Sequence, residues 1–156
     1  MILSQILQPS CIKVPLTGKN KKAVISELIN LLDNNGLLLD KNVVLDAVMT
    51  REKTRSTGIG AGIALPHGKC KGVDKLVMAI GIANKPIDFA SIDGKPVKII
   101  ILLISSVDQT GPHIQALAKI SKLMLDEQFK QKFEEAKSAQ ELYKLLSQKE
   151  SNNNHP

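Results

Sequence analysis

Two histidines stand at points where the chain is made to turn. His67 lies between a proline and a glycine, and His113 follows a Gly-Pro pair. Because proline stiffens the approach and glycine lets the chain turn away, we expect the His67 imidazole to project from the edge of a sheet. We place His113 in the first turn of a helix, where free N–H groups and partial positive charge favour a neutral ring that donates one hydrogen bond.

The chemistry open to such a pair is phosphoryl transfer. A neutral imidazole, with an ordinary pKa of about 6.5, is mostly unprotonated near pH 7, so its lone pair can attack phosphorus and later leave again. The protein then has to position the groups and stabilise charge. The residues alone leave a second interpretation open, in which the two histidines are partly buried and purely structural.

The arginines are concentrated before the first histidine. Of the 21 basic residues only Arg51 and Arg55 are arginines, and they fall within one five-residue stretch. Guanidinium groups bind phosphate or carboxylate through two parallel hydrogen bonds. Ser56 and Thr57 follow directly and add hydroxyl groups. The alternative is that two surface arginines cluster by chance.

A glycine-rich stretch leads from these hydroxyls to His67. Its glycines are Gly58, Gly60, Gly62 and Gly68. Their spacing matches neither the P-loop nor the dinucleotide-binding fingerprint, so we expect no nucleotide-binding loop of either type. Cys70 lies three residues after His67, but the nearest following carboxylate is Asp74, so we expect no metal site.

Composition excludes several classes of protein. The chain has 156 residues, 43% of them hydrophobic and 23% charged, which is typical of one globular domain. No apolar run approaches the roughly 18 residues that would span a bilayer, and we see no secretory signal. The net charge is +6, but the lysines are scattered and there is no tryptophan, so we expect acidic protein partners rather than nucleic acid. Two cysteines without framework spacing indicate a reduced, cytoplasmic protein.

Hydrophobic spacing predicts the elements that must position these residues. The predicted strands cover 12–16, 63–65, 76–83 and 97–104, the last apolar on both faces and therefore central in a sheet. The predicted helices open at Thr17-Gly18, after the N-cap Asp40, with Pro112 in the first turn, at Asp126 and at the capping box that starts with Ser138. The third of them carries Ile114 on its apolar face. This order predicts an α/β fold, a three-layer α/β/α sandwich with a mixed central sheet. We expect residues 1–150 to form one domain and 151–156, including His155, to be a disordered polar tail.

The segment from Arg51-Glu52 through Ser56-Thr57 and the glycines to Ala-Leu-Pro-His67-Gly-Lys resembles a known active-site signature. It is similar to that of the IIA proteins of the phosphoenolpyruvate-dependent sugar phosphotransferase system, in the fructose/mannitol branch that includes nitrogen-regulatory proteins. The segment Pro112-His113-Ile-Gln-Ala-Leu-Ala-Lys-Ile resembles that branch's second histidine segment. The resemblance covers residues 4 to 148.

The resemblance implies a role for each matched residue. His67 would be phosphorylated on Nε2, His113 would hydrogen-bond the phosphoryl group, and Arg51 would offset its charge. Ser56 and Thr57 would assist through a hydroxyl or a backbone N–H. No cofactor and no metal is implied, and no role is carried over to Arg55.

The implied partners are an HPr-type phosphocarrier protein, or its nitrogen-branch equivalent, and either a IIB domain or a regulatory target protein. Stand-alone chains favour the nitrogen-regulatory type; the alternative is a sugar-specific IIA component of a transport system. A further alternative from another class is an interaction module without phosphotransfer. We expect no nucleic-acid partner and no membrane insertion, and leave the oligomeric state open, with a homodimer among the alternatives.

Overall fold

The structure, a computed structural model, describes residues 1–153. Its helices are α1 (Leu3–Ile6), α2 (Lys21–Asn34), α3 (Lys41–Thr54), α4 (Thr110–Leu123), α5 (Glu127–Glu134) and α6 (Ala139–Asn153), with a 3₁₀ turn at Pro9–Cys11. Its strands are β1 (Ile12–Leu16), β2 (Gly58–Gly60), β3 (Ile63–Ala64), β4 (His67–Lys69), β5 (Val77–Ile87) and β6 (Val97–Ser105).

The six strands form one mixed sheet. The order is β1-β5-β6-β3-β2, and β4 also pairs with β6. Strand β6 runs antiparallel to β5 but parallel to β3 and β4, which occupy successive stretches along its other edge. The mixed sheet with helices on its sides confirms the predicted α/β class.

Strand β6 is the centre of the core. Its residues are buried on both faces, apart from the half-buried Lys98. A strand without a polar face must be covered from both sides, as the run Ile99–Ile104 predicted. This strand also carries the pairing partner of His67, which is Leu103. Pairing with β6 therefore fixes the position of His67 along the strand direction of the sheet.

Helix starts follow the capping residues more closely than the apolar spacing did. Helix α2 begins after Asn20, whose side-chain oxygen accepts the Ala23 N–H at 2.9 Å, and not at Thr17-Gly18. The N–H groups of Thr17 and Gly18 instead donate to the Glu27 carboxylate. Asp40 caps α3 as predicted, and Asp126, where we placed the start of the fifth helix, is the N-cap of α5.

Two expectations about α4 and the C-terminus were wrong in part. Ile114 does not belong to the apolar face of α4, since it is 60% exposed; His113 takes the buried position beside it. Helix α6 continues through Asn153, so 151–153 are helical although their side chains are exposed. The rest of the predicted tail, including His155, lies outside the described residues.

Candidate functional site

His67 opens β4 and is half-buried. Its Nδ1 lies 2.7 Å from the carbonyl oxygen of Leu65. A carbonyl oxygen can only accept a hydrogen bond, so Nδ1 carries the proton and Nε2 holds the lone pair. Burial lowers the pKa of His67, the Leu65 carbonyl partly offsets this, and the positive charge of Arg51 lowers the pKa further. The ring is therefore neutral at pH 7, with its free lone pair on Nε2.

His113 lies on α4 and is only 3% exposed. Its Nδ1 is 2.7 Å from the hydroxyl oxygen of Ser105, the last residue of β6. Burial, followed by the positive charges of His67 and Lys69, lowers the pKa of His113 to about 4. This ring is therefore also neutral at pH 7.

The structure brings the two histidines together. Their ring centroids are 5.5 Å apart and the ring planes are inclined by 65°, which is an edge-to-face contact. Of the two rings, that of His67 is partly accessible and that of His113 is buried. His113 is buried because its helix, α4, packs against β6.

A cavity of about 250 Å³ opens beside His67. Arg51 and Arg55 line it, and one N–H of the Arg51 guanidinium donates to the Arg55 carbonyl at 2.7 Å. The remaining lining residues are mostly apolar or carry hydroxyls: Ser56, Thr57, Ile59, Leu65, Ile92, Leu117 and Ser121. The cavity combines a guanidinium donor with a neutral imidazole, which is a suitable environment for a phosphoryl group.

The hydroxyls of Ser56 and Thr57 face other acceptors. The Ser56 hydroxyl donates to the carbonyl of Phe89, and its oxygen accepts the N–H of Gly58 at 3.0 Å. The Thr57 hydroxyl and N–H both donate to the carboxylate of Glu52. Both donors of Thr57 are thus bound to Glu52 in this arrangement, and a phosphate-binding role for Thr57 stays a prediction. A phosphate-binding role for Ser56 stays a prediction.

Glu52 is the supporting residue that the sequence reasoning did not assign. Its carboxylate is buried, accepts the Thr57 N–H at 2.8 Å and lies 3.1 Å from the Lys21 ammonium. A signal was present, because Glu52 continues the helical series of the buried Val44 and Val48. A charged residue at a buried position of a helix predicts a carboxylate that is paired and hydrogen-bonded to neighbouring groups.

Among residues 1–153 no cluster of three or more histidine, cysteine, aspartate or glutamate side chains could hold a metal ion. Cys70, three residues after His67, is free and buried. In the same part of the chain, no helix has both the length and the apolar character needed to cross a membrane.

Residues 5–149 match the family model described as "Phosphoenolpyruvate-dependent sugar phosphotransferase system, EIIA 2". A nitrogen regulatory protein of Klebsiella oxytoca is 35% identical over 154 residues, which is 97% of this chain and 93% of that protein. A fructose-specific EIIABC component of Bacillus subtilis (strain 168) is 31% identical over 148 residues, 95% of this chain. The chain spans only 23% of that longer protein.

The fold has a solved counterpart. The crystal structure of the nitrogen regulatory protein IIA-Ntr from Neisseria meningitidis superposes with a TM-score of 0.85 at 30% identity. The match covers 92% of this chain and 98% of the other.

Proposed function

Because the chain belongs to the EIIA 2 family of the phosphoenolpyruvate-dependent sugar phosphotransferase system, we propose that it is a phosphocarrier that accepts its phosphoryl group on Nε2 of His67. One observation carries the choice of atom. The Leu65 carbonyl holds the proton on Nδ1, so the lone pair is on Nε2 of a ring that lines the cavity. The nitrogen that must attack is therefore preset before any donor arrives.

The transfer step is an in-line displacement between two nitrogens. The Nε2 lone pair of His67 forms a bond to the phosphorus of the donor's phosphohistidine. The donor's own N–P bond breaks, and its electron pair returns to the donor's ring nitrogen. The proton on Nδ1 stays between His67 and the Leu65 carbonyl, so the ring needs no external base. Passing the group onward reverses these roles.

Two neighbours stabilise the transferred group. The phosphoryl group brings between one and two negative charges into a site that Arg51 lines and whose His67 ring feels the Arg51 charge. One N–H of Arg51 is held by a backbone carbonyl, which leaves its remaining N–H groups for phosphoryl oxygens. His113 supplies a neutral ring in contact with His67. We assign charge compensation to Arg51 and hydrogen bonding to His113.

The face around His67 fits a protein partner. Ile59 and Ile92 line the cavity and are 44% and 72% exposed, and Arg51 and Arg55 stand beside them. Exposed apolar side chains next to the reacting atom suit a docked protein. We propose an HPr-type carrier as the donor and a IIB domain or a regulatory protein as the acceptor, all meeting in the cytoplasm.

We favour the nitrogen-regulatory type over the sugar-specific type. The chain is 35% identical to a nitrogen regulatory protein and 31% identical to a fructose-specific component, and its fold superposes on that of a nitrogen regulatory protein with a TM-score of 0.85. A stand-alone sugar-specific IIA component is the second candidate. The two differ in the acceptor, since only the second must pass the group to a IIB domain at a rate that sustains transport.

Labelling from a phosphorylated HPr-type carrier tests the proposal. The full chain should take the label, His113→Gln should take it slowly, and His67→Gln should take none. Glutamine keeps a polar side chain of similar size in both variants, so the comparison isolates the nucleophile. Labelling of His67→Gln at the rate of the unaltered chain would overturn the choice of residue. An unlabelled full chain would favour an interaction module without phosphotransfer.

A further inference from the structure

The hydroxyl of Ser105 is the polar group that contacts the hidden side of His113. Its oxygen lies 2.7 Å from Nδ1, and Ser105 and His113 are 0% and 3% exposed. The backbone of Ser105 is fixed as well, since it pairs with Lys69 of β4 and its carbonyl accepts the Cys70 N–H at 3.0 Å. The serine therefore cannot move away without breaking the edge of the sheet that carries His67.

The neighbouring groups decide whether Ser105 or His113 is the donor in the hydrogen bond between them. If His113 Nδ1 carried the proton and donated to the serine oxygen, the serine's own hydrogen would need an acceptor. No other partner of that hydroxyl is found among residues 1–153, and an unpaired hydroxyl hydrogen at a buried position costs free energy. If the serine donates to Nδ1, both groups of the pair are satisfied. The single proton of the neutral ring then sits on Nε2.

We propose that Ser105 is a positioning residue that holds His113 as the Nε2–H tautomer, so that its free nitrogen is a hydrogen-bond donor toward a phosphoryl group on His67. This inference rests on the proposed function of His67 for its second half only. The two rings of the site are thereby set in opposite tautomers by opposite kinds of partner. A carbonyl acceptor leaves the lone pair of His67 on Nε2, and a hydroxyl donor leaves the proton of His113 on Nε2.

The opposite tautomers give the two rings complementary roles toward a phosphoryl group. An Nε2 lone pair on His113 would face the phosphoryl oxygens with a second acceptor and repel them, whereas an Nε2–H stabilises the charge they carry. Burial, together with the positive charges of His67 and Lys69, keeps His113 neutral with a pKa of about 4, so protonation does not supply the donor at pH 7. The tautomer is then the only source of a donor on this ring.

Nitrogen NMR of the imidazoles reads this arrangement without any phosphoryl donor. In the uniformly ¹⁵N-labelled full chain at pH 7.5, Nδ1 of His113 should appear as a pyridine-type nitrogen and Nε2 as a pyrrole-type nitrogen. His67 should show the reverse pattern and serves as an internal reference. His113→Gln and His67→Gln assign the signals by their loss.

Three serine variants then test the cause. In Ser105→Ala the two His113 nitrogens should move toward averaged shifts, because neither tautomer is selected. Ser105→Thr keeps a hydroxyl and should retain the pattern. Ser106→Ala is the matched control, since that neighbouring hydroxyl donates to Asp108 at 2.6 Å and not to a histidine. Phosphoryl acceptance should slow by about tenfold in Ser105→Ala, while the threonine and control variants stay near the rate of the unaltered chain.

A pyridine-type Nε2 on His113 in the unaltered chain would overturn the assignment. So would an unchanged nitrogen pattern in Ser105→Ala. A changed tautomer with an unchanged transfer rate would overturn the link between tautomer and transfer. If the unaltered chain accepts no phosphoryl group, the proposed function fails while the nitrogen pattern still decides the role of Ser105.

Discussion

The rings of His67 and His113 meet edge to face, with centroids 5.5 Å apart, although one ring is accessible and the other is buried. The contact depends on two elements that meet only in the folded chain. Strand β4 carries His67 beside Leu103 of β6, and α4 returns along the sheet just after β6 ends. The difference in exposure predicts different roles, because only an accessible ring can meet a donor's phosphorus.

Replacing each histidine by alanine should separate these roles. His67→Ala should abolish phosphoryl acceptance, because the attacking nitrogen is gone. His113→Ala should still accept the group but about 100-fold more slowly, as expected when one donor to developing charge is lost. Rates of labelling from a phosphorylated HPr-type carrier, measured side by side, check both. Equal loss in the two variants would contradict the division of labour.

Glu52→Gln should loosen the loop that leads to the site. The amide keeps one acceptor oxygen but turns a donor toward Thr57 or Lys21, where the carboxylate now accepts from both. We expect a loss of about 2–3 kcal/mol in the free energy of unfolding, measured by urea denaturation. Glu127→Gln is the matched control, since that side chain is 78% exposed in its pair with Lys130 and should cost little. Equal losses of unfolding free energy in the two variants would mean that the Glu52 carboxylate contributes no more to stability than an exposed one.

The sequence predicts those parts of the molecule whose signal is local. The apolar run Ile99–Ile104 identified the central strand, and Asp40 and Asp126 identified two helix starts, because burial and capping leave their mark within a few residues. Strands β2 and β4 were missed, since three residues each are too few for a pattern. The partner of β2 is the even shorter β3, and the partner of β4 lies far along the chain in β6.

The same distinction holds at the site. The spacing of proline, glycine and histidine singled out His67 and His113, and the structure brings them together. The sequence pattern did not single out Ser105. A serine at the end of a buried strand has no distinguishing sequence signal, and only the fold brings the histidine of α4 to it. The hydrogen bond from His67 Nδ1 to the Leu65 carbonyl could not be predicted either, since it depends on the direction of the backbone at β4.

Stability should fall as the pH is lowered from about 6.5 toward 4. In the unfolded chain His113 binds a proton below its ordinary pKa of 6.5, whereas in the folded chain its pKa is about 4. Between these values the unfolded state binds more protons, so the free energy of unfolding decreases with falling pH, by about 3 kcal/mol in all from this residue. Urea denaturation at pH 7 and pH 5 measures the effect.

His113→Gln isolates that contribution. Glutamine does not titrate, so the variant should lose less stability between pH 7 and pH 5 than the unaltered chain. His67 also has a lowered pKa and titrates in both proteins, so its share cancels in the comparison. Equal losses in the two proteins would mean that His113 does not resist protonation in the folded state.

The last prediction concerns the two arginines of the cavity. Arg51 is anchored through one N–H to the Arg55 carbonyl, which holds its planar guanidinium in place. Arg51→Lys keeps the charge but replaces the fork by a flexible ammonium, so we expect phosphoryl transfer to slow by about tenfold in both directions. Arg55→Lys is the matched control: it lines the same cavity, and its backbone carbonyl, which is what Arg51 uses, survives the substitution. Transfer rates measured with the same phosphorylated HPr-type carrier should therefore drop for Arg51→Lys alone. Equal rates in the two variants would return Arg51 to the class of ordinary surface charges.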